Sequence, residues 1–252
     1  MDIAVITGAS SGLGLEYVRA VYDMYPRLEQ IWVIARRGER LEAVKTELGE
    51  KIVPVSFDIT DSDAVENYVK QLKNQNANVK LLINNAGFGR LGNFDSLSTA
   101  DNAGMVRLNC EALTVMSSAT LPFMNEGGEI VNTCSIASFA PNTRMAVYSS
   151  TKAYVMSLSR AMREELKPRK INVLAVCPGP MDTEFLSVAN ITKGASRTFD
   201  TLPRVNAKVM AQKSLKASKK KKTVYTNLAF YKFYRLLAKL LPHSIVMKLC
   251  GT

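Results

Sequence analysis

Tyr148 and Lys152 stand four residues apart near the start of an apolar-periodic stretch, Ala146–Leu166. On a helix that spacing brings both side chains to one face. A tyrosine titrates near ~10, too high for easy proton exchange at neutral pH. An ammonium close by favours the phenolate and lowers that value. The pair is therefore a candidate acid/base couple, although the same spacing also occurs on ordinary helix surfaces.

A second constellation lies at the start of the chain. An apolar run, Ile3–Ile6, leads directly into Thr7-Gly8-Ala9-Ser10-Ser11-Gly12-Leu13-Gly14, and a helical pattern follows. Glycines there permit a tight turn and let the backbone approach a pyrophosphate, while the helix N-terminus offers free N–H groups to that anion. A flexible strand–helix turn explains the glycines alone equally well, but strand before and helix after is the context a nucleotide site needs. The next apolar run, Ile31–Ile34, ends on Ala35-Arg36-Arg37, with no carboxylate where one would bind a ribose 2′-hydroxyl. Arg36, a fixed charge with a forked set of donors, suits a 2′-phosphate and favours NADP(H) over NAD(H). The alternative is that Arg36 and Arg37 are solvated turn residues.

These groups need a scaffold. Strand-like runs fall at Ile3–Ile6, Ile31–Ile34, Ile52–Phe57, Val79–Ile83, Glu129–Thr133 and Ile171–Val176. Several are rich in Val and Ile without polar alternation, as in a parallel sheet buried on both faces. Helix-like segments at Gly12–Met24, Glu39–Leu48, Ala64–Leu72, Ala100–Leu121 and Ala146–Leu166 separate them, with Thr60 or Asp61 as a cap before Ala64. This alternation predicts an α/β fold, a doubly wound parallel sheet with helices on both faces, in a single domain spanning 1–252. From Met181 to Pro203 the pattern loses its period, which predicts a substrate lid region over 181–217. A strand-like Thr223–Thr226 follows the lysine run Lys219–Lys222, and a basic, apolar helical segment occupies 228–252.

Composition narrows the class. The chain has 252 residues, 47% hydrophobic and 22% charged, ordinary for one globular domain. The N-terminus shows no basic leader, and no long uninterrupted apolar run is present, so a soluble, cytoplasmic protein is expected. Cys110, Cys134, Cys177 and Cys250 form no CxxC pair, which points to reduced thiols and to no metal site. The net charge of +11 is concentrated at one end: residues 193–252 hold 14 Lys or Arg against a single acid, Asp200.

Taken in order, Thr7-Gly8-x-x-x-Gly12-x-Gly14, Asn84-Asn85-Ala86-Gly87, Asn109, Ser135, Tyr148-x-x-x-Lys152 and Pro178-Gly179 resemble the short-chain dehydrogenase/reductase family over about the first three quarters of the chain. The resemblance implies a Rossmann-type, NADP(H)-dependent enzyme that moves a hydride between the nicotinamide and a ketone or secondary alcohol. It implies that Tyr148 exchanges a proton with the substrate oxygen and that Ser135 hydrogen-bonds the same oxygen. Lys152 would hold the nicotinamide ribose and lower the Tyr148 pKa, and Asn109 would place a water linking Lys152 to solvent. Gly8, Ser10, Ser11, Gly12, Leu13 and Gly14 would cradle the pyrophosphate. Asp58 and Ile59 would meet the adenine, Asn85 and Ala86 the adenosine ribose, and Pro178, Gly179 and Thr183 the nicotinamide and its phosphate. Each has a plainer reading: Ser135 as a strand-end hydroxyl, Asn109 as a backbone-bonded polar residue, Asp58 as a helix cap. Cys134-Ser135, where the family often has Ser-Ser, and the interior of Tyr148-Ser149-Ser150-Thr151-Lys152 are departures that leave the reactive positions intact. Relatives suggest a homo-oligomer, a dimer or tetramer.

Phe88, Leu91, Phe139, Met145, Met181 and Phe185 are candidates for the pocket wall, pointing to an apolar, steroid-like or fatty substrate. Arg144 leaves room for a carboxylate. Along Leu228–Leu241, Lys232, Arg235 and Lys239 share one helical stripe, with Lys219–Lys222 nearby in sequence. Peripheral contact with an anionic membrane is one reading; a helix packed over the cleft or against a partner subunit is the other. Nucleic acid is not an expected partner, since only the tail is basic. A non-catalytic NADP(H)-binding regulatory or scaffold protein is the rival to an enzyme; it would be expected to have lost Tyr148 or Lys152, and both are present.

Overall fold

The computed structural model describes residues 1–249; Cys250 lies outside them. Seven parallel strands form one sheet in the order β3-β2-β1-β4-β5-β6-β7. They are β1 (Asp2–Thr7), β2 (Gln30–Ala35), β3 (Ile52–Ser56), β4 (Asn78–Asn84), β5 (Glu129–Thr133), β6 (Asn172–Val176) and β7 (Val224–Tyr225). The order reverses between β1 and β4, which opens a crevice at the carboxyl ends of the strands. The Val/Ile runs read from sequence are the strand interiors, and in β1, β2, β4 and β6 their side chains are buried on both faces.

On one face of the sheet pack α1 (Gly12–Met24), α2 (Gly38–Leu48) and, much later in the chain, α9 (Ala207–Lys219). On the other lie α3 (Ser62–Asn74), α4 (Thr99–Val106), α5 (Leu113–Thr120) and α6 (Ala146–Glu165). Asp61 caps α3, accepting from the N–H groups of Asp63 and Ala64 at 2.9 and 3.3 Å. Trp32 and Tyr68 are fully buried between sheet and α3, edge to face at 6.1 Å. The segment expected as one helix over Ala100–Leu121 is interrupted by a wider π turn, Arg107–Ala112. Asn109 sits in that turn with its side chain bonded sideways into the protein, and such π insertions commonly mark functional sites.

A buried polar chain ties the layers together. Asn84 Nδ2 on β4 donates to Ser117 Oγ on α5 and to Asn132 Oδ1 on β5, both at 2.9 Å. Asn132 Nδ2 in turn donates to Ser159 Oγ on α6 at 2.9 Å. Paired side chains of this kind fix which part of each helix lies over each strand.

After β6 the chain crosses the crevice as two short helices, α7 (Glu184–Val188) and α8 (Arg197–Thr201). The irregular segment expected as a lid ends before α9. Met210, Ala211 and Leu215 are fully buried against α1, so the stretch 207–217, expected within the lid, is core. The chain then forms α10 (Ala229–Leu240) at the outer end of the crevice and α11 (His243–Leu249), whose Val246 packs with Ala140 and Ala238. The lysine run does not lie there: Lys219 Nζ donates to Met24 O at 2.8 Å, and Arg163 donates to the carbonyls of Lys221 and Lys222, at the amino-end edge of the sheet. Among the described residues no helix is long and apolar enough to cross a membrane.

Candidate active site

Each sequence-expected site residue comes from the carboxyl end of a strand or the element following it, and the turns converge on one cavity of about 920 Å³. Gly8, Ser10, Ser11, Gly12 and Leu13 line it after β1, Arg36 and Arg37 after β2, and Asp58 and Ile59 after β3. Asn85 and Ala86 follow β4, Ser135 follows β5, Tyr148 and Lys152 come from α6, and Pro178, Gly179 and Thr183 follow β6.

The glycine turn is shaped by close approach. Gly8 takes φ +66°, and a Cβ there would lie 2.8 Å from Ala86 Cα. Gly14 lies outside the lining but packs so tightly that a Cβ would fall 1.9 Å from Gly8 O. Thr7 Oγ1 accepts from the N–H groups of Asn85 and Ala86 at 3.0 and 3.2 Å, locking this turn to the one after β4. The result is a bare backbone cradle at the N-terminus of α1, open to the cavity. These residues fit the diphosphate of a dinucleotide, whose charge the helix end and its free N–H groups would stabilise.

Of the two arginines, Arg36 is largely exposed and pairs with Asp58 at 3.7 Å. Asp58 accepts from the N–H and hydroxyl of Thr60 at 2.9 and 2.8 Å. Arg37 lies over the cradle, donating to Ser10 Oγ at 3.0 Å, Ser11 Oγ at 3.0 Å and Glu184 Oε2 at 3.0 Å. Arg40 donates to the other Glu184 oxygen. Hydrogen bonds from Arg40 and then Arg37 hold the Glu184 carboxyl down at about 2. Arg37 and Glu184 were not singled out from sequence. Arg37 differs from Arg36 only in the direction its side chain leaves the turn, and Glu184 carries no local signal at all.

The groups expected to react sit deeper. Tyr148 is buried and faces Ser135, with its ring centroid 5.6 Å from that of Phe185. Burial pushes its hydroxyl up to about 12, against the Ser135 hydrogen bond, which pulls it down. Ser135 Oγ also accepts from Ala137 N at 3.1 Å, which fixes its rotamer. The Lys152 ammonium lies 5.8 Å from the Tyr148 ring centre and donates to Thr133 O at 2.9 Å; burial lowers its pKa. The expected lowering of Tyr148 by Lys152 is thus outweighed in this structure: the ammonium points at a carbonyl beside the ring, and loss of solvation dominates the phenol. Glycines make the crowding possible. A Cβ on Gly87 would lie 2.8 Å from Asn109 Oδ1 and 3.3 Å from Lys152 Nζ, and one on Gly89 2.9 Å from Tyr148 Cδ2.

Asn109 is fully buried but does not line the cavity. Its Nδ2 donates to Phe88 O at 2.8 Å and Thr151 Oγ1 at 3.0 Å, and its Oδ1 accepts from Phe88 N at 3.0 Å. Its amide therefore pins the loop after β4 to the helix carrying Tyr148.

Phe88, Met145, Met181 and Phe185 line the cavity as expected, joined by Phe199, Leu202, Phe230, Tyr231 and Tyr234, which the sequence reading missed. Leu91 is instead buried in the cluster with Met105 and Ile191, because its N–H is tied to Ala189 O. Phe139 packs on Tyr234 at 5.9 Å behind the wall. Arg144 donates to Ala195 O at 2.9 Å, bracing the lid instead of facing the cavity. Cys134 and Cys177 are buried, free thiols, and Cys110 is a half-buried one; among the described residues no cluster suits a metal ion.

A family model described as short chain dehydrogenase matches residues 2–194. Serine 3-dehydrogenase of Agrobacterium fabrum is 33% identical over 204 residues, covering 79% of this chain and 78% of that protein. The NADP-dependent 3-hydroxy acid dehydrogenase YdfG of Salmonella typhi is 33% identical over 190 residues, covering 74% and 75%. Among solved structures, a short-chain dehydrogenase from Sphingobium yanoikuyae in complex with NADPH matches with a TM-score of 0.76 at 27% identity, covering 96% of this chain and 97% of that one. The closed form of serine dehydrogenase complexed with NADP+ matches with a TM-score of 0.75 at 27% identity, covering 86% and 89%. With a diphosphate cradle, a buried Ser–Tyr–Lys cluster and relatives of this kind, the chain belongs to the short-chain dehydrogenase/reductase family of oxidoreductases.

Proposed function

We propose that the protein is an NADP(H)-dependent reductase of apolar ketones, running in reverse on the matching secondary alcohols. The observation that carries this reading is Tyr148: a buried phenol that shares, with Ser135 and Lys152, the wall of a cavity beginning at the glycine cradle, its pKa raised by burial. A phenol with that pKa is protonated at neutral pH, which is the form that delivers a proton.

When bound, the nicotinamide supplies the hydride to the carbonyl carbon. Tyr148 gives its proton to the carbonyl oxygen as that oxygen gains charge, and Ser135 donates a hydrogen bond to the same atom. The C=O π bond is lost, one C–H and one O–H bond form, and the phenolate is left beside the Lys152 ammonium, which then stabilises it. Asn109 holds the Phe88 loop and α6 in mutual position, a positioning role alongside the water relay that the family implies. Arg37, with Arg36 beside it, supplies the charge for a 2′-phosphate, and two NADP(H)-bound neighbours support that preference.

The wall of Phe88, Met145, Met181, Phe185, Phe199 and Leu202 supports an apolar substrate. The relatives named above are described as acting on serine and on 3-hydroxy acids. Here Arg144 is engaged by the backbone of Ala195 and Arg90 by Asp101 at 2.9 Å, so neither of these two guanidiniums is free for a substrate carboxylate. A cytoplasmic homo-oligomer is the form in which we expect the enzyme to work. NADPH consumption across a panel of ketones, with NADH in parallel, tests the reading. Tyr148→Phe should lower kcat/KM by about 10²–10⁴-fold, and wild-type turnover by that variant would refute the mechanism.

A further inference from the structure

The last two helices carry a surface that the reaction does not use. Around α10 the residues divide into three stripes. Tyr231, Tyr234 and Ala238 face inward: the Tyr231 hydroxyl donates to Pro203 O at 2.7 Å, and Ala238 packs with Ala140 and Val246. Lys232, Arg235 and Lys239 form the second stripe. The third, opposite the buried one, is apolar and faces solvent: Phe233 is 60% exposed, Leu236 52% and Leu240 68%. Ile245 of α11 is 46% exposed as well, and the exposed Lys248 adds a further charge. Apolar residues pointing outward on the last helices, edged on one side by cations, are the reverse of what a solvated helix requires.

Charge decides what covers this face. No acidic residue occurs anywhere in 201–252. A second copy docked symmetrically through the same face would set Lys232, Arg235 and Lys239 against their own counterparts with no carboxylate between them. The complement must be anionic and must also accept a row of Phe and Leu from a convex, single-helix surface. A lipid surface does both, with headgroup charge at the level of the basic stripe and acyl chains beneath. We propose that the outer face of α10 and α11 docks on an anionic membrane surface. The docking does not depend on the reaction assigned to the cavity. It does place the cavity at the lipid boundary, because Phe230, Tyr231 and Tyr234 of the same helix line it.

The lysine run, the most conspicuous basic block in the sequence, is not part of this surface. Lys219 is folded onto Tyr25 and Met24 at the amino-end edge of the sheet, the opposite end from α10. The test is co-sedimentation of the full chain with vesicles of phosphatidylglycerol and phosphatidylcholine, against vesicles of phosphatidylcholine alone. The wild type should pellet with the anionic vesicles and much less with the neutral ones. Lys232→Gln/Arg235→Gln/Lys239→Gln should weaken binding by roughly 100-fold, from about fivefold per cation near the headgroups. Phe233→Ser/Leu236→Ser/Leu240→Ser, at exposed positions that leave the core untouched, should weaken it at least ~10-fold. Lys220→Gln/Lys221→Gln/Lys222→Gln should stay within about twofold of wild type, since that run is held at the amino-end edge of the sheet, away from the docked face. Circular dichroism melts confirm that each variant is folded. The proposal is overturned if the wild type stays in the supernatant with anionic vesicles, if the apolar triple variant binds like wild type, or if the lysine-run variant is the one that releases. It is equally overturned if the apolar variant only shifts the sedimentation mass of a lipid-free oligomer, which would assign the face to a second copy.

Discussion

Replacing Asn109 with Ala separates a residue that acts on the reaction from one that holds other residues in place. The substitution removes three hydrogen bonds, two of them to the N–H and C=O of Phe88 and one to Thr151 Oγ1. The Phe88 groups are partly buried, and a polar group left unpaired inside a protein costs ~1–3 kcal/mol. Two such groups, partly rehydrated through the small cavity, give about 3 kcal/mol. For a domain of this size each kcal/mol shifts Tm by roughly 2–4 °C, so Asn109→Ala should melt ~6–12 °C below wild type. Differential scanning fluorimetry reads the shift, and NADPH oxidation below the melt reads turnover. Freed from α6, the Phe88 loop should also lower kcat with a smaller change in the KM for NADPH. If Tm moves by less than about 2 °C while kcat collapses, Asn109 acts through bound water alone and the positioning argument fails.

Arg37→Gln should lower the NADPH-to-NADH ratio of kcat/KM by about 10–100-fold, from the loss of one charge-assisted phosphate contact. If Arg36→Gln shifts the ratio and Arg37→Gln does not, the phosphate belongs to the exposed arginine. In the pH profile of ketone reduction, the free-enzyme rate should stay level from neutral pH until Lys152 begins to lose its proton, because Tyr148 keeps its own well into alkali. Lys152 has a lowered pKa, so the first alkaline fall should come below the ordinary lysine value of 10.5; a single fall near the tyrosine value would remove Lys152 from the chemistry. Alcohol oxidation, which needs the phenolate, should climb over the same range. Gly179→Ala would put a Cβ 2.3 Å from Tyr231 Cε2, on a ring anchored to Pro203, and should cost ~1–3 kcal/mol by overpacking. Thermal melts check this, and a variant as stable as wild type would mean that α10 yields freely.

Much of this fold could be read from the sequence, because a sheet buried on both faces leaves an unmistakable record. Ile31–Ile34 and Val79–Ile83 have no polar face to confuse the period, and both are strand interiors. The site residues were legible for a related reason: a parallel sheet brings its carboxyl ends together, so positions after six successive strands must meet. What stayed hidden depends on side-chain direction. Arg36 and Arg37 are adjacent, and only the turn geometry sends the second over the cradle. Leu91 and Met145 looked alike as apolar residues near the site, yet one is tied away by a backbone hydrogen bond and the other faces the cavity. The Lys219–Lys222 run and the α10 cations lie close in sequence, yet the run is held at the amino-end edge of the sheet while α10 borders the cavity. The π turn at Arg107–Ala112 had no periodic signature, since a single wide turn barely perturbs the pattern around it.

The polar chain from Ser117 through Asn84 and Asn132 to Ser159 sets the axial position of the catalytic helix from far below the reaction. Ser159 is two turns from Lys152, about 10 Å along the axis. Sliding that helix by even one residue would break the bond from Asn132 Nδ2 to Ser159 Oγ and leave a buried amide donor unpaired. Apart from the Phe88 loop, which Asn109 ties to the same helix, the upper loops are thereby relieved of aiming the phenol and the ammonium. Evolution, or an engineer, can recarve the substrate wall at Met181, Phe185 or Phe199 while the proton donor stays where the interior put it.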